Sequence, residues 1–496
     1  MDMSDGMTIN HCAPALACFV SLAAVVPIVL SGRRPNLREG WTFLAGGLKL
    51  AIIAWMLPML IEGKVIEYTL IEILPGVPIK FRVDGLGMLF AIVATILWPA
   101  TSLYSIGYMR ALNEHAQTRF FAYFAVALSA TIGVAFSANL VTLYLFYEIL
   151  SLSTYPLVTH HQDRNARTGG RTYLTYLLGT SVGFALPAMI YAYYKAGGVV
   201  DFSTGGFLAG KIDGTETLIL LPMLIFGFSK AGLMPFHSWL PGAMVAPTPV
   251  SALLHAVAVV KVGVFCVLRV FTGVFGIDFL ATMPGDEIIL WVAAFTLLTA
   301  SLIAMSQDNL KRRLAFSTIS QLAYIVVGAA LLTPRGLTGS MIHIGMHAFG
   351  KITLFFCAGA IFVASGRKLV SEMGGIGKQM PITMTAFFFG ALSTIGLPPF
   401  GGAWSKWFLI LGALDAGQIL LVVILMLSSL LNIAYLLPVV VKAFFSPAAA
   451  DRHSGGIREA PLACLVPLCL TALGALILFF CPGLFIDLAI LMGGST

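Results

Sequence analysis

Residues 227–265 read GFSKAGLMPFHSWLPGAMVAPTPVSALLHAVAVVKVGVF. Most of the stretch is apolar, but Gly232, Pro235, Pro241 and Gly242 interrupt it, and Lys230, His255 and Lys261 stand inside it. Proline removes a backbone N–H and kinks a helix. At membrane depth such a break is tolerated where the backbone lines a cavity. An ionisable side chain in an apolar span is costly and marks a functional site by default. A stretch that is apolar, broken and charged reads as an interrupted helix of a transport protein.

The whole chain agrees. It has 496 residues, 58% hydrophobic and only 10% charged, against about 25% charged in a soluble domain. This excludes a disordered chain and a soluble enzyme with a polar surface. The net charge of +7 is spread along the chain, so it is no footprint for nucleic acid. The fold expected is an all-α polytopic membrane protein. Fourteen spans of about 20 apolar residues can be drawn. They cover 13–31, 41–61, 84–108, 119–137, 138–159, 172–194, 216–240, 247–271, 286–305, 313–333, 336–364, 381–414, 418–445 and 461–490. Residues 67–83 alternate around Pro75-Gly76 and read as a hairpin outside the membrane. The seven cysteines form no C-x-x-C pair, which leaves no zinc or cluster spacing.

Basic residues set the orientation. Arg33, Arg34 and Arg38, then Arg110 and Arg119, Arg164, Arg167 and Arg171, Lys311, Arg312 and Arg313, Arg367, Lys368 and Lys378, and Lys442, Arg452 and Arg458 fall on one side. The opposite loops hold only Lys64, Lys80, Arg82, Lys195, Lys211 and Arg335. The richer side is the cytoplasm, which puts both termini outside a bacterial or archaeal cell membrane. The acidic start Met1-Asp2-Met3-Ser4-Asp5 has no basic residue before Arg33, so no cleavable signal peptide is expected.

Five spans carry central ionisable groups: Glu148 in the fifth, Lys230 in the seventh, His255 and Lys261 in the eighth, His343, His347 and Lys351 in the eleventh, and Lys406 in the twelfth. His343, His347 and Lys351 are each four apart and share one helix face, a ladder of about 12 Å. His255 and Lys261 are six apart, a spacing that lets them meet groups on two neighbouring helices. Glu148, alone among acids well inside a span, needs a cationic partner. His343 and His347 have metal-like spacing but no acid between them, so no metal or cofactor is expected. Lys49 and Arg269 read as snorkelling side chains, and His160 and His161 as solvated at a cytoplasmic edge. A second break, Gly396, Pro398, Pro399, Gly401 and Gly402, lies in the twelfth span beside Lys406. Paired interrupted helices point to an ion site between inverted repeats, here spans four to eight and nine to thirteen. The corresponding units are 1–118, 119–272, 286–445 and 446–496.

Five ordered blocks resemble the antiporter-like subunits shared by Mrp-type cation/proton antiporters, respiratory complex I and membrane-bound hydrogenases. They are LFYEILSLSTYPL, the stretch quoted first, LKRRLAFSTISQLAYI, HIGMHAFGKITLFF and GLPPFGGAWSKWFL. The resemblance implies that Glu148 pairs with Lys230. It also implies that His255 and Lys261 link onward to the ladder His343, His347 and Lys351, and that Lys406 ends a proton relay. Lysine at that last position resembles the D-type Mrp subunit more than the complex I relative. Gly350 departs from the bulky residue common before the ladder lysine, which suggests looser packing there. The implied function is proton translocation within a multisubunit sodium/proton antiporter, with other membrane subunits, H+, Na+ and the lipid bilayer as partners. Ion transport, rather than enzyme chemistry, is the expected activity. The rival reading with the same fold is the proton-pumping arm of a redox-driven complex, whose redox groups would sit on partner subunits.

Overall fold

A computed structural model describes residues 8–74, 76–447 and 456–495. The acidic start, Pro75 and Arg452 lie outside the described residues, and with them the signal-peptide reading.

The chain is built from apolar helices. The first eight long ones are α1 (Ala13–Leu30), α2 (Pro35–Ile61), α3 (Gly85–Ala111), α4 (Gln117–Ala135), α5 (Leu140–Val158), α6 (Arg164–Lys195), α7 (Gly214–Gly227) and α8 (Thr248–Phe275). They are followed by α9 (Asp286–Ser306), α10 (Leu310–Ala330) and α11 (Pro334–Ser365). Then come α12 (Pro381–Ile395), α13 (Gly402–Asp415), α14 (Ile419–Phe445), α15 (Leu462–Phe480) and α16 (Gly483–Ile490). Among the described residues twelve continuous helices are long and apolar enough to cross a membrane, and the chain is a polytopic helical membrane protein. The seventh and twelfth of the fourteen expected spans are interrupted. At 14 and 15 residues, α7 and α12 reach only about 21–23 Å, short of the ~30 Å hydrocarbon core.

The expected hairpin forms from β2 (Val65–Leu74) and β3 (Val77–Val83). The sequence reading missed a third strand, β1 (Thr8–Asn10), which pairs parallel to β2. Three residues are too short to show a period of two. Glu67, Arg82, Lys80 and Asp201 knit this sheet to the loop after α6, with Lys80 Nζ 3.0 Å from Glu67 and 2.8 Å from Asp201.

Burial separates the helices by role. α8 and α10 are buried all round, whereas α2 and α14 expose apolar faces such as Leu44, Leu48, Val423 and Leu427. A helix apolar on its outward face suits contact with lipid, where no hydrophobic penalty applies. The two helices buried all round both carry polar groups inside the protein, His255 and Lys261 on α8 and Ser317 and Gln321 on α10.

Two sequence expectations change here. Arg269 does not snorkel: it is 2% exposed and its Nη1 lies 2.6 Å from Asp84 Oδ2 at the N-cap of α3. Lys49 is fully buried, donates to Ser21 Oγ at 2.7 Å and sits over the Trp98 ring. Both lie where α2 and α8 are covered by neighbouring helices, which leaves no route to an interface.

Candidate functional site

The break after α7 begins at Phe228 and turns through Ser229–Ala231 to Gly232, whose φ of +71° only glycine adopts freely. The freed backbone groups find new partners. Trp239 Nε1 donates to the Ser229 carbonyl at 3.1 Å, and Met234 N donates to Thr296 Oγ1 at 3.1 Å. This is the compensation a broken helix needs at membrane depth. Lys230 rides on this turn. Gly263 of α8 packs so closely against it that a Cβ there would lie 2.1 Å from Lys230 C.

Lys230 is fully buried, and its Nζ donates to the Tyr147 carbonyl at 2.9 Å and to Ser151 Oγ at 2.6 Å, with the Tyr147 ring beneath it. The expected contact with Glu148 is not made. Both Glu148 carboxylate oxygens are buried without a hydrogen-bond partner among the described residues. Tyr147 and Glu148 are consecutive on α5 and so point about 100° apart; the ammonium lies on the Tyr147 and Ser151 side.

In α8 a wide turn covers Leu253–Val257, closed by Ala258 N donating to the Leu253 carbonyl at 2.9 Å, and Ala258 is non-helical. Single wide turns of this kind sit often at functional positions. The turn shifts the face that follows, so His255 and Lys261 meet one helix rather than two. The His255 ring lies 4.9 Å from that of Phe355, and Lys261 Nζ lies 2.7 Å from His347 Nδ1, both on α11. The His255 nitrogens have no partner among the described residues.

From His347 the row continues along α11. The rings of His347 and His343 stack at 5.5 Å, and His343 Nδ1 bonds Ser405 Oγ at 2.7 Å. The Tyr324 ring lies between His343 and Lys406, 5.8 Å from the first and 4.6 Å from the second's Nζ. Lys406 Nζ donates to the Ile395 carbonyl at 2.8 Å and to Ser429 Oγ at 3.1 Å. It therefore caps the open end of α12, where a cation suits the helix dipole. A cavity of about 670 Å³ lined by Trp404, Lys406, Trp407, Pro398 and Ser429 opens beside it.

Lys351 leaves this row. Its Nζ donates to Ser317 Oγ at 2.7 Å, and the Tyr435 hydroxyl lies 2.8 Å from the same oxygen and also bonds Asn432. Gly350 does not loosen its surroundings. A Cβ there would stand 3.0 Å from Ser393 Oγ and 3.1 Å from Ser393 Cβ, because α12 packs directly on it.

Several participants escaped the sequence reading: Ser151, Ser317, Tyr324, Ser405, Ser429 and Tyr435. A signal was present. Ser317, Gln321 and Tyr324 stand at i, i+4 and i+7 of α10, and Ser428, Asn432 and Tyr435 repeat that spacing on α14. Both are polar stripes inside apolar helices.

Comparison with known proteins places these features in context. Residues 137–432 match the family described as "NADH:quinone oxidoreductase/Mrp antiporter, TM", and residues 75–121 match "NADH-Ubiquinone oxidoreductase (complex I), chain 5 N-terminus". The chain is 33% identical to NADH-quinone oxidoreductase subunit N of Desulforudis audaxviator, over 84% of this chain and 85% of that one. It is 32% identical to the A-type Na(+)/H(+) antiporter subunit of Alkalihalophilus pseudofirmus, over 96% of this chain but 61% of that longer one. One protein in the structure of the archaeal membrane-bound sulfane sulfur reductase shares the fold, with a TM-score of 0.86 at 24% identity over 97% of each chain. The chain belongs to the transmembrane family of NADH:quinone oxidoreductase and Mrp antiporter subunits.

Proposed function

We propose that this chain is the proton-translocating, D-type subunit of a multisubunit Mrp-like sodium/proton antiporter. The 2.7 Å contact between Lys261 Nζ and His347 Nδ1 carries the reading. Both groups are buried, and each is able to hold or accept a proton. The bond's direction depends on which of them carries it. Protons move along Lys230, His255, Lys261, His347, His343 and Lys406, with Lys351 as a branch through Ser317. Water bridges the gaps between Lys230, His255 and Lys261, where no direct bond is made among the described residues. The orphaned nitrogens of His255, His343 and His347 support this. An unpaired buried polar atom costs about 1–3 kcal/mol, and water in the path removes that cost.

Glu148 acts as the gate. Burial disfavours a charged lysine, and a nearby carboxylate favours it. With Glu148 apart from Lys230, release of the lysine's proton is promoted; approach of the carboxylate holds it. The breaks at Lys230 and Lys406 mark the equivalent points of two inverted repeats, spans four to eight and nine to thirteen. Other membrane subunits complete the complex in a prokaryotic cell membrane, with both termini outside. Lysine at position 406 supports the D-type assignment.

A second reading makes the same row the pumping arm of a redox-driven complex. The 85% coverage of the NADH-quinone oxidoreductase relative favours it. Purification of the tagged chain in mild detergent, with its companions identified by mass spectrometry, separates the two. Small membrane subunits without redox subunits support the antiporter; iron–sulfur companions support the pump. Under either reading, Glu148→Gln in everted vesicles is expected to abolish most coupled proton flux with normal insertion. Full flux in that variant refutes the gate.

A further inference from the structure

At the end of α5 a second cluster lies apart from the relay. Glu114 and His115 sit in the loop between α3 and α4, and His160 and His161 follow α5. One ligand atom each from Glu114, His115 and His160 falls within 4.8 Å of the others. Glu114 Oε2 lies 3.7 Å from His160 Nε2 and 3.9 Å from His115 Nδ1. Its other oxygen, Oε1, lies 3.2 Å from His161 Nε2.

The sequence suggested a solvated His160. Instead the residue is fully buried, and neither ring nitrogen has a partner among the described residues. Its ring lies 4.7 Å from that of His115. Arg119 is also near, but its Nη2 donates to the His160 carbonyl at 3.1 Å, away from the ring. Lys311 and Asp163 act on His161 with opposite sign.

We propose that Glu114, His115 and His160 form a site for a divalent transition metal of the zinc class. Two imidazoles and one carboxylate suit such an ion, with a fourth position open to water. Bonds of about 2.0–2.1 Å place neighbouring tetrahedral ligands about 3.3–3.4 Å apart. The present 3.7 and 3.9 Å spacings contract by about 0.3–0.6 Å on binding, and His115 and His160, within 4.8 Å of each other, close up to the same span. His161 holds the carboxylate in place, the role of an outer partner in metal sites. His115 is exposed, which gives the ion a way in from water.

Occupancy would tie the end of α5 to the α3–α4 loop. Glu148 lies ten residues before that end, about 15 Å along the helix. The metal therefore brakes movement of Glu148; this consequence alone rests on the transport reading above.

The test uses the full chain in detergent and Co2+ as probe. One Co2+ per chain is expected, with the visible absorption of a four-coordinate site. The signal falls at least tenfold in His115→Gln, an exposed change that spares folding, and in His160→Gln. It persists in the His343→Gln/His347→Gln double variant. Absence of the absorption in the intact chain, or its survival in His115→Gln, overturns the site. Binding without any slowing of proton flux by Zn2+ overturns the brake and leaves the transport reading intact.

Discussion

Lys261 of α8 and His347 of α11 meet at 2.7 Å inside the protein, joining the two helices through one shared proton position. Neither residue bonds a carboxylate among the described residues. A bond that involves a charged group is worth about 1.5–3 kcal/mol. Lys261→Ala and His347→Ala are each expected to lower proton flux on the order of ten- to a hundredfold. The double variant should cost little more than either single one, since residues in one network couple. A double-mutant cycle on flux in proteoliposomes checks this; simple additivity would separate the two residues' roles.

The Arg269–Asp84 pair is buried, 2% and 7% exposed. Breaking one partner of such a pair costs about 3–5 kcal/mol. Arg269→Met alone should sharply lower the unfolding midpoint in detergent. Adding Asp84→Asn should restore much of the loss, because the unpaired carboxylate is then neutral. Thermal unfolding followed by tryptophan fluorescence reads both.

Gly263→Ala puts a methyl where the Lys230 backbone already stands, 2.1 Å from its carbonyl carbon. Overpacking typically costs about 1–3 kcal/mol, and here backbone must move to relieve it. The expected result is a chain that inserts but has lost most proton flux, since the turn carrying Lys230 is displaced. Normal flux in this variant would show that the position of Lys230 is not critical.

The three-stranded sheet should respond to pH in two directions. For Glu67, half-burial pushes its carboxyl up, but Arg82 and Lys80 outweigh this and hold it below the usual range. Its contribution to stability is present above about pH 4.3, the ordinary glutamate value, and is lost as pH falls through the depressed one. Lys80 loses by burial but gains more from Asp201 and Glu67, which hold its ammonium above the usual range. Its contribution is complete below about pH 10.4 and is lost as pH rises through the raised value. Protection factors of the β2 and β3 amides, from which the intrinsic pH dependence of exchange is divided out, should therefore fall in acid and again in strong base, and stay flat between. Glu67→Gln should remove the acid limb.

The helices were legible because apolar spans of about 20 residues leave a long one-dimensional signal. The two breaks were legible because proline and glycine punctuate it locally. All eight ionisable residues of the proposed relay could likewise be found, since a charge in an apolar run stands out. Which groups they touch was not. Glu148 and Lys230 looked like partners, yet one helical step along α5 gives the lysine to Tyr147 and Ser151. Lys49 and Arg269 looked like interface residues, yet neighbouring helices bury both.

Sequence by itself determined the membrane class, the order of spans and the positions of the costly charges. Those follow from the transfer of each residue between water and hydrocarbon, a property of the residue and its near neighbours. Tertiary structure alone decided that Lys261 faces His347, that Lys351 turns to Ser317 and that His160 is buried beside Glu114. Each of these depends on the rotation of one helix against another. The wide turn at Leu253–Val257 and the close approach at Gly263 set that rotation, through contacts between residues far apart in the chain.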